Sequence, residues 1–190
     1  MGPHYISAAH AITCVFPLAL CTAMTPSTAS AQQPGDQATA IAIPAAMKAE
    51  HDAIHERLVR ATKAPGRTGG AARALADVLH PHFVREEEIA LPPLGLLAPL
   101  ARGAFSPEMT AVLPMTDSLR AELPRMLEEH KAIRLATGRL ADAARGEANA
   151  EVVDLAATLA AHAEAEEQLF YPAAMLVGEI VRARAAARSR

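Results

Sequence analysis

Apolar residues recur at helical spacing in four stretches of the chain, each broken by polar groups where an apolar one is due. A first helix starts just after Pro44, places Met47, His51, Ile54 and Leu58 on one stripe, and stops near Pro65-Gly66. A second begins at Gly69-Gly70, with Leu75, Val78, Leu79, His82, Glu86 and Ile89 as its stripe; Pro81 predicts a kink or local break there. Between Leu91 and Met115 stand Pro92, Pro93, Pro99, Pro107 and Pro114, too many for one regular helix. That connection reads as a packing strap over the end of a bundle in preference to a lid. Thr116 or Asp117 caps a third helix, which runs past His130 towards Arg145, with Pro124 as a second kink and Gly146 as its end. The fourth runs from about Ala148 through Leu155, Leu159, His162, Glu166 and Leu169 to a bend or end at Pro172. Ala173 to Arg188 is a further amphipathic segment whose basic tail reads as a solvated end. The expected fold class is all-α, a four-helix bundle with a short C-terminal helical segment.

Two of these helices are copies. His82, Glu86, Glu87 and Pro92 recur 80 residues on as His162, Glu166, Glu167 and Pro172, and the same offset carries Leu75 onto Leu155 and Leu79 onto Leu159. Upstream, Met47, Glu50, His51, Ala53 and Ile54 recur 79 residues on as Met126, Glu129, His130, Ala132 and Ile133. Helix positions four apart differ by about 40° in direction, so an imidazole and a carboxylate at that spacing can reach one point. Glu87 and Glu167 lie about 140° from their histidines and are expected to face solvent or neighbouring helices. A His and a Glu on a buried stripe are costly unless paired, protonated or coordinated. A single His-x-x-x-Glu is weak evidence, more often a surface pair. All six of His51, His82, Glu86, His130, His162 and Glu166 at repeat-related positions point to a metal site, the alternative being histidines left as hydrogen-bonded core residues. Four imidazoles and two carboxylates suit two borderline divalent ions, Fe or Mn, sharing the carboxylates as bridges.

The 190 residues are 51% hydrophobic and 21% charged, the profile of one compact domain, and aromatics at 3% favour packed helices over sheet. A net charge of −3 gives no electrostatic case for nucleic acid. The first 35 residues lack Lys, Arg, Asp and Glu; Ala8 to Met24 is mostly apolar, and Ala29-Ser30-Ala31 offers a small-x-small cleavage pattern before Gln32. We therefore expect a signal peptide over 1–31, a flexible leader over 32–44, a bundle over 45–190, and export to a periplasm, although the leading residues lack the usual positive charge. The apolar run, interrupted by Pro17, is shorter than a membrane span needs. Both cysteines, Cys14 and Cys21, fall within that signal, so disulfides and thiolate metal sites are excluded from the mature chain. Any metal must be held by His and carboxylate.

The segments Glu50-His51-Asp52-Ala53-Ile54, His82-Phe83-Val84-Arg85-Glu86-Glu87, Glu129-His130-Lys131-Ala132-Ile133 and His162-Ala163-Glu164-Ala165-Glu166-Glu167 resemble the four signature segments of the hemerythrin-like, or HHE cation-binding, domain. The resemblance spans about Ala45 to Pro172. It implies an up-down bundle and a non-haem di-iron centre, oxo- or hydroxo-bridged, that binds O2, NO or peroxide-derived species, with Glu86 and Glu166 bridging and the histidines as terminal ligands. Two departures from the oxygen carriers stand out. Arg134 occupies the place of their fifth histidine, and Glu166 lies four residues after His162 where they have an aspartate at five. These move the site towards the bacterial variety with four histidines and two glutamates. Iron–sulfur repair is disfavoured by the export signal and the absence of a mature cysteine.

His55 shares the face of His51 and is a candidate substitute fifth ligand, with a partly exposed hydrogen-bonded histidine as the alternative; His80 points to a different face from His82. The expected function is binding, sensing or scavenging of a small oxidant rather than catalysis. A di-iron peroxidase or oxidase, or an iron storage or delivery protein, is the alternative. Ferritin-like sites use Glu-x-x-His pairs and more carboxylates than this chain supplies.

Overall fold

The computed structural model describes residues 41–189. Six α-helices follow in order: α1 (Ala45–Ala61), α2 (Gly66–Ile89), α3 (Leu97–Ala101), α4 (Leu113–Gly146), α5 (Ala150–Ala165) and α6 (Tyr171–Arg188). Helices α1, α2, α4 and α5 form the bundle, α2 packing on α1 and α4, and α5 on α1 and α4. No strand occurs among the described residues. No described helix is long and apolar enough to cross a membrane. The apolar segment and cleavage pattern expected to direct export lie outside the described residues.

The expected stripes become the core with instructive exceptions. On α1 the buried residues are His51, Ile54, Leu58 and Ala61, at intervals of one turn. Val78, expected on the α2 stripe, is 37% exposed. Helix α2 runs through Pro81 as one element, and α4 runs through Pro124, so neither proline breaks its helix. Helix α2 also starts three residues before Gly69. Its first turn is capped from a distance: Arg67 and Thr68 donate their backbone N–H groups to Glu147 Oε1 and Oε2, at 2.7 and 3.0 Å. Gly66 makes this possible, having φ 72° and a Cβ position that would lie 2.4 Å from Glu147 Oε1.

Helix α4 begins at Leu113, earlier than Thr116 and Asp117, neither of which caps it. Thr116 bonds back to the Leu113 carbonyl at 3.1 Å, and Asp117 pairs with Arg182 at 2.5 Å. Asn149 caps α5, accepting from the Val152 N–H at 3.2 Å.

The proline-rich connection is a strap, as its composition predicts. It folds into 3₁₀ turns at Pro92–Leu96 and Pro107–Val112 on either side of α3, burying Leu94, Leu96, Leu100, Met109 and Val112. The C-terminal segment is amphipathic, as expected, and Arg182 and Arg188 of its basic tail are exposed. Helix α6 buries Tyr171, Ala174, Val177, Gly178 and Val181, and Arg184 donates to the Ala104 carbonyl of the strap at 2.7 Å.

Helix α5 passes into α6 through a single π-helical turn, Glu166–Phe170. Pro172 has no N–H to donate, and the Tyr171 N–H reaches back five residues to the Glu166 carbonyl. The extra residue in this turn carries Leu169 off the stripe, to 62% exposure, and brings Tyr171 above Glu166, at 1%.

Close approach of α4 and α6 depends on Gly178, whose Cβ position would lie 2.3 Å from Thr116 Oγ1. Gly178→Val is expected to destabilise the bundle by about 1–3 kcal/mol through overpacking. A lowered denaturant midpoint is the readout; an unchanged midpoint would show that the two helices separate without cost.

Candidate metal centre

The six polar residues of the stripes meet inside the bundle. Ile54, Leu79, Ile133 and Leu159, one turn to one side, belong to one apolar cluster, whereas Ile89, Met126 and Tyr171 on the other side belong to a second. Between them lie His51, His82, Glu86, His130, His162 and Glu166, each no more than 4% exposed. His82 and His130 form one pair, with ring centres 4.6 Å apart, and His51 and His162 the other, at 4.9 Å.

Each carboxylate faces both pairs. Glu86 turns Oε1 to His82 Nε2 at 3.3 Å and to His130 Nε2 at 4.0 Å, and Oε2 to His51 Nε2 at 3.9 Å. Glu166 turns Oε1 to His162 Nε2 at 2.8 Å and to His51 Nε2 at 3.4 Å, and Oε2 to His130 Nε2 at 3.5 Å. The result is two ligand groups, His82-Glu86-His130-Glu166 and His51-His162-Glu166, with ligand atoms in each within 4.8 Å of one another.

The outer nitrogens explain the second glutamate of each doublet. Each histidine turns Nδ1 to a carboxylate from another helix: His82 to Glu129 at 2.9 Å, His130 to Glu167 at 2.7 Å, His162 to Glu50 at 3.2 Å and His51 to Glu87 at 3.4 Å. The pairing is itself repeated, since Glu50 and Glu129 precede the ligands of one helix and serve a histidine of another. At His82 and His130 the approach is a hydrogen bond, and a carboxylate there holds the proton on Nδ1 and leaves the Nε2 electron pair pointing inward; at His51 and His162 it is proximity alone. Arg134, standing where the oxygen carriers have a histidine, pairs with Glu167 at 2.6 Å. Lys48 lies 3.8 Å from Glu87, and Arg125 3.5 Å from Glu129.

This donor set fits a metal. His82 Nε2, His162 Nε2 and Glu86 Oε2 are buried without a hydrogen-bond partner. Electron pairs of imidazole and carboxylate facing one another in a dry interior repel unless a proton or a cation lies between them. Nitrogen and carboxylate donors suit borderline divalent ions.

Without a cation the cluster titrates abnormally. Burial opposes charge on His82, but the Glu86 carboxylate beside it raises it from 6.5 to about 9. Burial and the Glu166 charge hold the Glu86 carboxyl above its ordinary range. Burial would raise Glu166 too, yet the imidazoles of His130, His162 and His51 around it bring it well below. A metal takes His82 only as neutral imidazole, so binding displaces its proton at any pH below about 9. Affinity is therefore expected to increase with pH through the neutral range and to level off above that value. Calorimetry in two buffers of different ionisation enthalpy checks this, and binding with no proton release at neutral pH would contradict it.

Tyr171 is a site residue that the hydrophobic period does not show. Its hydroxyl donates to Glu86 Oε1 and lies 3.2 Å from His130 Nε2, two ligand atoms of the same group. Burial and the charges of Glu86 and Glu166 push its own ionisation up, so it stays a donor. The repeat held the signal: Tyr171 occupies the position of Leu91, 80 residues earlier, with proline following both. Phe83 stacks on His51, ring centres 4.1 Å apart, and shields it. His55 does not join the cluster. It is exposed one turn along α1, its ring centre 6.0 Å from that of His80.

Comparison with curated proteins and with solved structures gave no match. The profile of the hemerythrin HHE cation binding domain matches residues 42–174, which include the six inward histidines and glutamates, their four outer carboxylates and Tyr171. A metal-binding four-helix bundle over most of its length, this chain belongs to the hemerythrin HHE cation-binding family.

Proposed function

We propose that this chain is a non-haem di-iron protein that reversibly binds O2, NO or a related small oxidant. The observation that carries the reading is the orientation of Glu86 and Glu166, each presenting one oxygen to each histidine pair. Two ions held by two nitrogens each and sharing two carboxylates keep positions free for a small ligand. When bound, the iron pair supplies one-electron chemistry at each ion. The protein supplies the rest: Ile89, Met126 and Ile133 keep water out, the outer glutamates orient the imidazoles, and Tyr171 offers an O–H beside the His82 and His130 group. Manganese is the alternative occupant.

Stopped-flow spectra of the reduced, iron-loaded protein mixed with O2 or NO test the reading. A band change at stoichiometric ligand is expected, and none would sink it. About two irons per chain should survive dialysis; rapid loss would favour storage or delivery.

The position of Tyr171 favours a second reading, consumption of peroxide, because a small oxidant at that group would meet a hydrogen donor. Sustained turnover of hydrogen peroxide in the wild type would support it. In either case Tyr171→Phe leaves Glu86 Oε1 without its buried donor, and metal affinity should fall about 10–100-fold, as for other outer-shell losses. Equilibrium dialysis measures that fall, and equal affinity would remove Tyr171 from the site. Export before function follows from the Ala29-Ser30-Ala31 pattern. A periplasmic form starting at Gln32, identified by mass, is the expected product, and a form retaining Met1 would refute export.

A further inference from the structure

We propose that His55 and His80 form a separate surface site for a borderline first-row divalent cation, at the mouth of a cleft that ends at His51. The register of the α1–α2 hairpin makes the pair. His51 stacks on Phe83 across two antiparallel helices, and one turn onward along α1 and one turn back along α2 bring His55 opposite His80. Both imidazoles are exposed, and their ring centres are 6.0 Å apart at 43°. Two imidazoles sharing one ion at about 2.0–2.1 Å per nitrogen have ring centres roughly 4.5–6 Å apart, so small side-chain rotations close the pair on a cation.

The cleft beside them encloses about 180 Å³ and is lined by His51, Asp52, His55, His80, Phe83 and Glu87, with Lys48 and Val84. Its two carboxylates outnumber its one ammonium, which favours a cation. Asp52 is engaged by Lys48, so the ion takes two nitrogens from the protein and completes its shell with water. Nitrogen ligation of this kind selects nickel, copper or zinc over magnesium or calcium. The cleft meets the buried centre at His51 and Glu87, neither of which binds this ion, and the proposal stands whichever metal that centre holds.

Titration of the iron-loaded protein with Ni²⁺ is the test, followed by calorimetry and by NMR of the imidazole protons. The wild type is expected to take one more Ni²⁺ per chain than H55A/H80A, with paramagnetic broadening at His55 and His80. Either single variant should weaken that binding by at least about tenfold, since losing a ligand costs no less than losing an outer-shell partner. Glu166→Ala should keep the surface Ni²⁺ site, which separates it from the buried one. Equal Ni²⁺ stoichiometry and affinity in the wild type and H55A/H80A would overturn the proposal, as would broadening confined to other histidines.

Discussion

Glu166→Ala is expected to abolish the two-ion centre while leaving a folded helical bundle. Glu166 belongs to both ligand groups and lies within 3.5 Å of three of the four inward nitrogens, those of His51, His130 and His162. Its removal deprives both positions of a charged ligand and takes away the anion that offsets the cluster's positive partners. Affinity for the second ion should fall more than about 100-fold, beyond the range for an outer-shell loss. Native mass spectrometry should show at most one metal per chain, with the circular dichroism of a helical protein retained. Two metals bound with unchanged spectra would refute the bridging role. Glu86→Ala is expected to do less, because only its Oε2 approaches the His51 pair, at 3.9 Å. Glu166→Gln is the control for shape: it keeps the volume, and it should still fail to hold both ions.

Removing metal from the wild type should produce the second large effect, a fall in Tm. Each ion held at a thousand times its Kd adds about 4 kcal/mol to the folded state. For a domain of this size about 1 kcal/mol moves Tm by roughly 2–4 °C, so one ion is worth roughly 8–16 °C and two up to twice that. Protons replace part of this in the metal-free protein. His82, raised from 6.5 to about 9, contributes stability that is fully present below 6.5 and is lost as pH rises through about 9. The difference in Tm between metal-loaded and metal-free protein should therefore widen with pH across that window. Thermal melts with and without a reductant and chelator measure it. An unchanged Tm after confirmed loss of metal would mean that the bundle holds its buried histidines and glutamates without needing a cation.

The repeat made the site legible because helical periodicity is a local property. His82 and Glu86 share a face through their spacing alone, and the 80-residue offset shows that the second pair does the same. Glu87 and Glu167 were harder to place. Their angle sends them away from their own histidines, but only the packing of neighbouring helices shows that they reach His51 and His130 instead. Tyr171 and Leu169 exchange places because one π-helical turn rotates all that follows it, a change that a period of 3.6 residues does not anticipate. His55 shares a face with His51 in projection, yet one turn along the axis moves it out of the ligand plane and up to the surface beside His80. Glu147 caps α2 across 79 and 80 residues of chain, beyond the reach of any local rule.

The sequence by itself determined four helices, two copies of a hairpin and six buried histidines and glutamates, because hydrophobic period and repeat offset are properties of the chain. Only the tertiary structure decided which oxygen faces which histidine pair, which outer glutamate stands by which imidazole, and that, among the described residues, a phenol lies beside one of the two groups and not the other. Those relations depend on how far each helix is rotated and shifted along the bundle axis, and side-chain packing between helices sets both. The two halves are alike in sequence, but Tyr171 stands against Leu91, so the centre they build is not symmetric.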